Sequence, residues 1–210
     1  MTIKERKERE REEMRSLILT AASEIMKKEG IDSLSIRKIA TRIEYSPAII
    51  YHYFQDKDDI VNHLMQEGYQ RIVDALASVP PSSDRPEERL KELTRNYIGA
   101  ALQMSDEYMA VQLNNAPAVL EYTAWLFKGA SNKKAALQIL YLYLKEIFRN
   151  KGMDDTSIEL TAQVMATATF GLVVKLIVEN NIPEEQRTAL IEHHIKCIVD
   201  GMILGKPLSN

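Results

Sequence analysis

Apolar residues recur every three or four positions along most of the chain, which is the spacing that lines one face of an α-helix. The first pattern predicts a long helix that ends at Gly30, and the next runs through Ile36, Ile39, Ala40 and Ile43. Prolines and glycines stand mostly at the edges of such patterns. The chain is therefore predicted to be all-α.

Two short amphipathic helices are predicted between residues 35 and 54, with about three residues between them. Ser35 is expected to cap the first helix, because its hydroxyl can accept a free backbone N–H one turn later. Ser46 is expected to cap the second, where Pro47 fits the first turn at no cost in hydrogen bonds. Ile50 and Phe54 should face inward. Two short helices joined by a tight turn are typical of a helix-turn-helix motif.

The outer face of the second helix is unusually apolar for a surface in water; it carries Pro47, Ala48, Ile49, Tyr51 and His52. Small apolar and hydroxyl-bearing side chains suit thymine methyl groups and phosphate oxygens, so this face fits a DNA major groove. The next helix should begin at Asp56, with Lys57 opposing the helix dipole in its first turn. A DNA phosphate would favour that cation; the alternative is a local pair with Asp58 or Asp59.

Several of these residues stand at fixed spacings that together form a recognisable signature. It consists of a first helix ending in KKEG, the Ile39–Ala40 pair, and a run S-x-x-x-[IL]-Y-x-[YH]-F-x-x-K matched by Ser46, Ile50, Tyr51, Tyr53, Phe54 and Lys57. Residues from about 14 to 72 thereby resemble the N-terminal domain of the TetR family of transcriptional regulators. Ala48 and Glu44 depart from the family pattern. Glu44 replaces the common glycine of the turn, and a left-handed backbone there costs around 1 kcal/mol.

The resemblance implies an N-terminal three-helix helix-turn-helix domain and a C-terminal helical domain for ligand binding and dimerisation. It implies that Arg37, the face from Pro47 to Ile49 and His52 approach bases, and that Ser46, Tyr51 and Lys57 hold phosphates. Ser35 and Lys38 complete the predicted DNA-binding set.

The stretch SVPPSSDRP marks the clearest boundary in the chain. We predict a DNA-binding domain over residues 1–78 with its motif at about 35–54, a hinge over 79–88, and a ligand-binding and dimerisation domain over 86–210. Later helices are predicted over 86–104, 117–127, 135–150, 156–180 and 183–204.

The last two predicted helices are apolar on more than one side, which indicates a partner helix pair. The predicted interface residues are Val164, Ala168, Gly171, Leu172, Ile191, Ile195, Ile198 and Met202. A four-helix interface between two copies would cover them, and a symmetric dimer would place two recognition helices in successive major grooves about 34 to 36 Å apart. The alternative is packing within one chain.

The middle of the chain is rich in aromatic and methionine side chains, in helices that the resemblance implies enclose a ligand. The predicted pocket residues are Tyr97, Met104, Met109, Gln112, Tyr122, Trp125 and Tyr141. Such side chains form adaptable apolar cavities for a small-molecule effector. At helical spacing they also form ordinary core, and that alternative stays open.

Charge changes this picture little. The 210 residues carry 27 basic and 30 acidic side chains, net −3, and residues 1–72 hold 13 of each sign. Long-range attraction to DNA should therefore be modest, and close contacts must supply most of the affinity. The N-terminal run KERKEREREEMR predicts a solvated extension of the first helix; the alternative is a basic arm for the minor groove.

Other chemistry is not indicated by the sequence. The four histidines lack metal-ligand spacing, and no nucleotide or nucleophile motif occurs, so we expect no enzyme, metal or cofactor. A lone Cys197 and the lack of a long apolar run predict a cytoplasmic protein without a membrane partner. The expected protein is a homodimeric regulator of a palindromic double-stranded DNA operator. The family favours a repressor released by an effector; an activator, a ligand-independent regulator and an architectural protein are the alternatives.

Overall fold

The computed structural model describes residues 2–78, 85–112, 117–203 and 205, and every regular element in these ranges is helical. The first five helices are α1 (Ile3–Glu29), α2 (Ile36–Arg42), α3 (Pro47–Tyr51), α4 (Lys57–Ala77) and α5 (Pro86–Gln103). The others are α6 (Ser105–Gln112), α7 (Pro117–Thr123), α8 (Ala135–Phe148), α9 (Asp155–Val178) and α10 (Glu184–Lys196). Cys197–Ile203 continues α10 as a π-helix. The predicted all-α class is confirmed.

The charged N-terminal run forms the start of α1. Thr2 and Glu5 make a reciprocal capping box, and Arg6 pairs with Glu10 one turn later at 2.7 Å. The first fully buried side chain of this helix is Ile18. The run is thus a capped, solvent-exposed helix rather than an extended arm.

The chain forms two compact units that do not follow the predicted boundary at residue 78. The first comprises Met1–Gly68 and Asp106–Thr123, and the second comprises Tyr69–Ser105 and Ala124–Asn210. Helix α4 therefore contributes to both units, and α7 belongs to the first. Residues 79–84 of the predicted hinge lie outside the described residues.

The core of the first unit joins α1 to the helix-turn-helix and to the start of α4. It contains Ile18, Ala22 and Ile25 from α1, Ile39 and Ala40 from α2, Ile50 and Phe54 around α3, and Ile60 and Val61 from α4. Val119 of α7 is fully buried in the same cluster, and Tyr122 packs against it. Burial of this apolar surface explains why α7 belongs to the first unit.

Polar side chains of α9 organise the loop that precedes α8 in the second unit. Gln163 donates its amide N–H groups to the carbonyl oxygens of Trp125 and Phe127 at 2.8 and 2.9 Å. The buried Glu159 carboxylate accepts from the backbone N–H of Gly129 and from Ser131. These bonds fix the segment 124–129 outside a helix and hold the short 3-10 helix Ala130–Asn132 that follows it, so α7 ends at Thr123 and not near residue 127 as predicted.

Candidate nucleic-acid interface

The turn between α2 and α3 has the geometry that the sequence required. Ser35 caps α2 by accepting the N–H of Lys38 at 3.2 Å. Helix α2 then ends as the Tyr45 N–H reaches back to the Ala40 carbonyl at 3.0 Å, with Glu44 at φ 61°. This is a Schellman end, whose left-handed residue is usually glycine. The predicted left-handed conformation of Glu44 is thus observed.

Helix α3 is short and is held by its inner face. Ile50 and Phe54 are buried, as predicted. Tyr53, which precedes Phe54 in the chain, is half-buried. Ser46 occupies the predicted N-cap position, but its hydroxyl makes no capping bond within the described chain. That hydroxyl is therefore not committed to capping the helix.

The outward face of α3 is open to solvent, and we refer to it as the recognition surface. It consists of Pro47, Ala48, Ile49, Tyr51 and His52. Ile49 is half-buried and the other four are exposed, with 58% of Tyr51 accessible. An exposed surface of this composition, on a motif fixed by a buried core, is free to contact another molecule.

Four cations flank the recognition surface in sequence, and the fold divides them into two pairs. Lys38 binds Glu29 at 2.7 Å and lowers the pKa of that carboxyl group below its ordinary value. Arg42 likewise binds Glu24. Arg37 and Lys57 make no ion pair with any residue that the structure describes. These latter two cations are the better candidates for phosphate or base contacts.

The local alternative for Lys57 is not what the structure shows. Asp56 caps α4 by accepting the Asp59 N–H at 2.8 Å, as expected. The Asp59 carboxylate accepts the Gln55 N–H at 2.9 Å and lies 3.2 Å from His63. Asp59 is thus engaged by partners other than Lys57, and the half-buried cation remains in the first turn of the helix.

The seven predicted pocket residues are all half-buried, but they are divided between the units. Met109, Gln112 and Tyr122 belong to the first unit, and the other four belong to the second. Trp125 donates to Thr167 at 3.3 Å and lies edge-on to Phe170 of α9. Tyr141 lies beneath the Lys145 ammonium. A groove of about 410 Å³ in the second unit is lined instead by charged residues, including Lys91, Arg95 and Asp200.

The predicted dimer residues fall into three groups. Val164, Ala168 and Gly171 are exposed on α9, and Leu172 and Ile191 are half-buried. Ile195 and Ile198 differ from the prediction: they are 1% and 4% exposed, because they pack into the core of their own unit. The Met202 side chain lies outside the described residues.

Two apolar side chains beyond the predicted set extend the exposed face of α9. Leu160 and Val178 share the helical spacing of Val164, Ala168 and Gly171, and both are more than half accessible. By length and composition α9 could cross a membrane, although a core helix of a soluble protein passes the same test. Its buried Glu159 and Gln163, which bond the neighbouring loop, favour a helix packed within protein.

Sequence reasoning missed Arg15, which contacts the end of α3 across 38 residues of chain. It stands in a run of alternating charges, where nothing distinguishes it from its solvated neighbours. Sequence reasoning also missed Glu159 and Gln163, which are buried and bond to the loop before α8. Among the residues that the structure describes, no cluster of histidine, cysteine or carboxylate side chains has the arrangement of a metal site.

Comparison with known proteins places the helix-turn-helix in a family. Residues 18–64 match the family described as bacterial regulatory proteins, tetR family. An uncharacterized HTH-type transcriptional regulator in the dhlA 5′ region of Xanthobacter autotrophicus is 28% identical over 106 residues. That match covers 47% of this chain and 52% of the relative, so the chain spans about half the length of the curated relative that it matches.

Solved structures show the same fold over nearly the whole chain. The fatty acid degradation regulator FadR from Bacillus halodurans superimposes with a TM-score of 0.69 at 21% identity, covering 90% of this chain and 95% of that one. The TetR family transcriptional regulator PfmR from Thermus thermophilus gives a TM-score of 0.63 at 14% identity, covering 87% and 96%. At such identities the likeness concerns the fold.

Proposed function

Because the chain belongs to the tetR family of bacterial regulatory proteins, we propose that it is a transcriptional regulator that binds a palindromic DNA operator as a homodimer. Regulation of transcription, and not catalysis, is the activity of this family. The observation that carries the proposal is the exposed recognition surface on a capped helix-turn-helix, flanked by Arg37 and Lys57, which form no ion pair within the described chain.

The contacts to DNA follow from the chemistry of the exposed groups. Ser46, Tyr51 and Lys57 bind phosphates, which positions the domain without reading sequence. Arg37 and the side chains from Pro47 to Ile49 face base edges, with His52 alongside them. Lys38 contributes less than Arg37, because its ammonium group is already bound to Glu29.

The exposed face of α9 supports the homodimer. Leu160, Val164 and Val178 are each more than half accessible, and the small Ala168 and Gly171 between them would let a second helix approach closely. In the same unit, Leu126 is 71% exposed on the loop that Gln163 and Glu159 hold in place. Covering these side chains with a second copy would remove apolar surface from water.

Repression and release by an effector form the finer part of the proposal. A small, largely apolar ligand would bind more tightly to the form of the dimer whose recognition helices are wrongly spaced for DNA. This difference in ligand affinity between the two forms would shift the dimer away from DNA. Helix α4 belongs to both units and is the element proposed to transmit the change. An activator or a ligand-independent regulator of the same fold remains the alternative.

DNase footprinting of the promoter beside the protein's own gene tests the DNA-binding proposal. The expected result is protection of one palindrome that persists when nonspecific competitor DNA is added. Protection without sequence preference would support the architectural alternative, and no protection would contradict DNA binding.

We expect this regulator to act in the cytoplasm.

Titration of the protein with candidate compounds, followed by Trp125 fluorescence, tests whether it binds a small-molecule effector. A panel of apolar compounds should include fatty acids as one class of probe, since a structural neighbour is a fatty acid degradation regulator. A compound that changes Trp125 emission and weakens the footprint supports release by a ligand. If no compound in a broad panel changes either signal, the ligand-independent alternative is supported instead.

A further inference from the structure

We propose that Arg15 is a positioning residue for DNA recognition, which fixes the C-terminal end of the recognition helix α3 from the neighbouring helix α1. The inference rests on the proposed DNA-binding function and deepens it. Arg15 itself is not proposed to touch DNA, because its guanidinium group is already bound to protein.

Two contacts of the Arg15 side chain lie just beyond the C-terminal end of α3. The Arg15 Nη1 donates to the backbone carbonyl oxygen of Tyr53 at 2.8 Å. Its guanidinium carbon lies 4.5 Å from the centre of the Phe54 ring, in cation–π geometry. Tyr53 and Phe54 directly follow Tyr51 and His52 of the recognition surface. Arg15 therefore holds both the backbone and the buried ring that anchor this surface.

The third contact links the same guanidinium to α4. Arg15 Nη2 lies 2.9 Å from His63 Nε2, and a guanidinium can only donate hydrogen bonds, so Nε2 must be the acceptor. On the other side of the ring, Nδ1 lies 2.8 Å from the Asp59 carbonyl oxygen, to which it can donate. The His63 ring also meets Phe54 edge-on at 5.3 Å. Arg15 thus connects α1, the end of α3 and the start of α4.

This connection matters because α3 has few means of fixing its own direction. The helix is only five residues long, and its Ser46 cap position lacks a side-chain bond within the described chain. A binding surface must be held within about 0.5 Å of its productive position. Sequence-specific contacts depend on that precision, whereas the nonspecific attraction of Arg37 and Lys57 to phosphates depends on it much less.

The test is the substitution Arg15→Lys in the full chain, with Arg11→Lys as its matched control. Lysine keeps the charge but lacks the planar fork that serves Tyr53 and His63 together. Arg11 lies one turn earlier on the exposed part of α1. Affinity for the operator and for a scrambled duplex would be measured by fluorescence anisotropy over a range of salt concentrations, with helicity and thermal melting recorded for each variant.

Arg15→Lys should weaken operator binding by about tenfold or more, since hydrogen bonds to a charged group are lost. The affinity for the scrambled duplex should change by less than about twofold, the salt slope should stay the same, and Arg11→Lys should behave as wild type. An equal loss on both duplexes would show instead a contact that does not depend on sequence and would overturn the proposal. Unchanged operator affinity would also overturn it.

A second measurement keeps the proposal testable if Arg15→Lys does not fold. His63→Gln retains an amide oxygen that can accept from Arg15 Nη2, whereas His63→Leu offers that guanidinium no acceptor.

Operator affinity should therefore fall by about threefold or more in His63→Leu and stay near that of the wild type in His63→Gln, while neither variant changes its affinity for the scrambled duplex. Equal operator affinities of the two variants would contradict the proposed link through His63. If the wild type binds no operator at all, the proposed function itself fails. If the wild type binds the operator and Arg15→Lys binds it equally well, only the positioning role of Arg15 is refuted.

Discussion

The substitution Glu44→Gly should stabilise the protein, although it removes a side chain. Glu44 has φ 61° in the turn that ends α2, and this conformation costs a residue with a Cβ atom about 1 to 2 kcal/mol. Glycine adopts it freely but loses more entropy on folding, by about 0.4 to 1 kcal/mol. The difference is a gain of at most about 1.6 kcal/mol, with a midpoint of about 0.8 kcal/mol, and the midpoint raises the Tm of a chain of this length by about 2 to 3 °C.

The assay is thermal unfolding followed by circular dichroism, with Glu44→Ala as the matched control. Alanine also removes the carboxylate but keeps the Cβ atom, so it should not stabilise the protein. Both variants should bind nonspecific DNA slightly more tightly, because the turn loses a negative charge. The reasoning would be refuted if alanine stabilised the protein as much as glycine, or if glycine lowered the Tm.

Three further predictions concern binding, assembly and acid stability. Lys57→Ala should weaken binding to all duplexes and lower by about one the slope of log affinity against log salt concentration. Lys38→Ala should weaken binding less, because Lys38 already pairs with Glu29. Equal effects of the two substitutions in a salt titration would contradict this prediction. Val164→Asp should yield monomers in analytical ultracentrifugation, whereas Leu142→Asp on the exposed side of α8 should not; a dimeric Val164→Asp would count against the α9 interface. Glu159→Gln should cost about 1 to 3 kcal/mol near neutral pH. Hydrogen bonds from Ser131 and Gly129 lower the pKa of Glu159 in the folded protein. The stabilisation is therefore present above the pKa of the unfolded carboxyl group, and it should vanish as the pH falls through the pKa of the folded protein. A difference in urea unfolding between the two proteins that does not change with pH would disprove this prediction.

The helix-turn-helix could be predicted from sequence because its signals are local. Ser35 and Asp56 each precede a helix and accept a backbone N–H within one turn of themselves. The observed hydrogen bonds agree with both predicted caps. The left-handed turn at Glu44 is expected from the family resemblance, in which glycine commonly occupies this turn position, and the observed φ of 61° agrees with it. Motifs fixed by neighbours in sequence can therefore be read without coordinates.

The partners of Arg15 could not be predicted, because they lie 38 and 48 residues away. In the sequence Arg15 ends a run of alternating charges, and only packing shows that it faces the core side while Arg11 faces water. The same limit applies to Lys38 and Arg42, whose acidic partners on α1 reduce the positive charge near the recognition surface.

The last two helices show why an apolar pattern does not identify a partner. Both carry apolar residues on more than one side, but Ile195 and Ile198 pack within their own unit while Val164 remains exposed. Periodicity gives the direction of a side chain around its helix, not which neighbour will cover it. The polar Gln163 and Glu159 give no sign in the sequence that they are buried and bond to the loop before α8.

Selection of binding sites from a random duplex pool, followed by sequencing, tests the central claim most directly. If two copies of the recognition surface read DNA together, the enriched sequences should contain two inverted half-sites centred about one helical turn apart. Ile49→Ala should enrich a different half-site. An enriched pool without inverted symmetry, or no enrichment over the starting pool, would contradict the account.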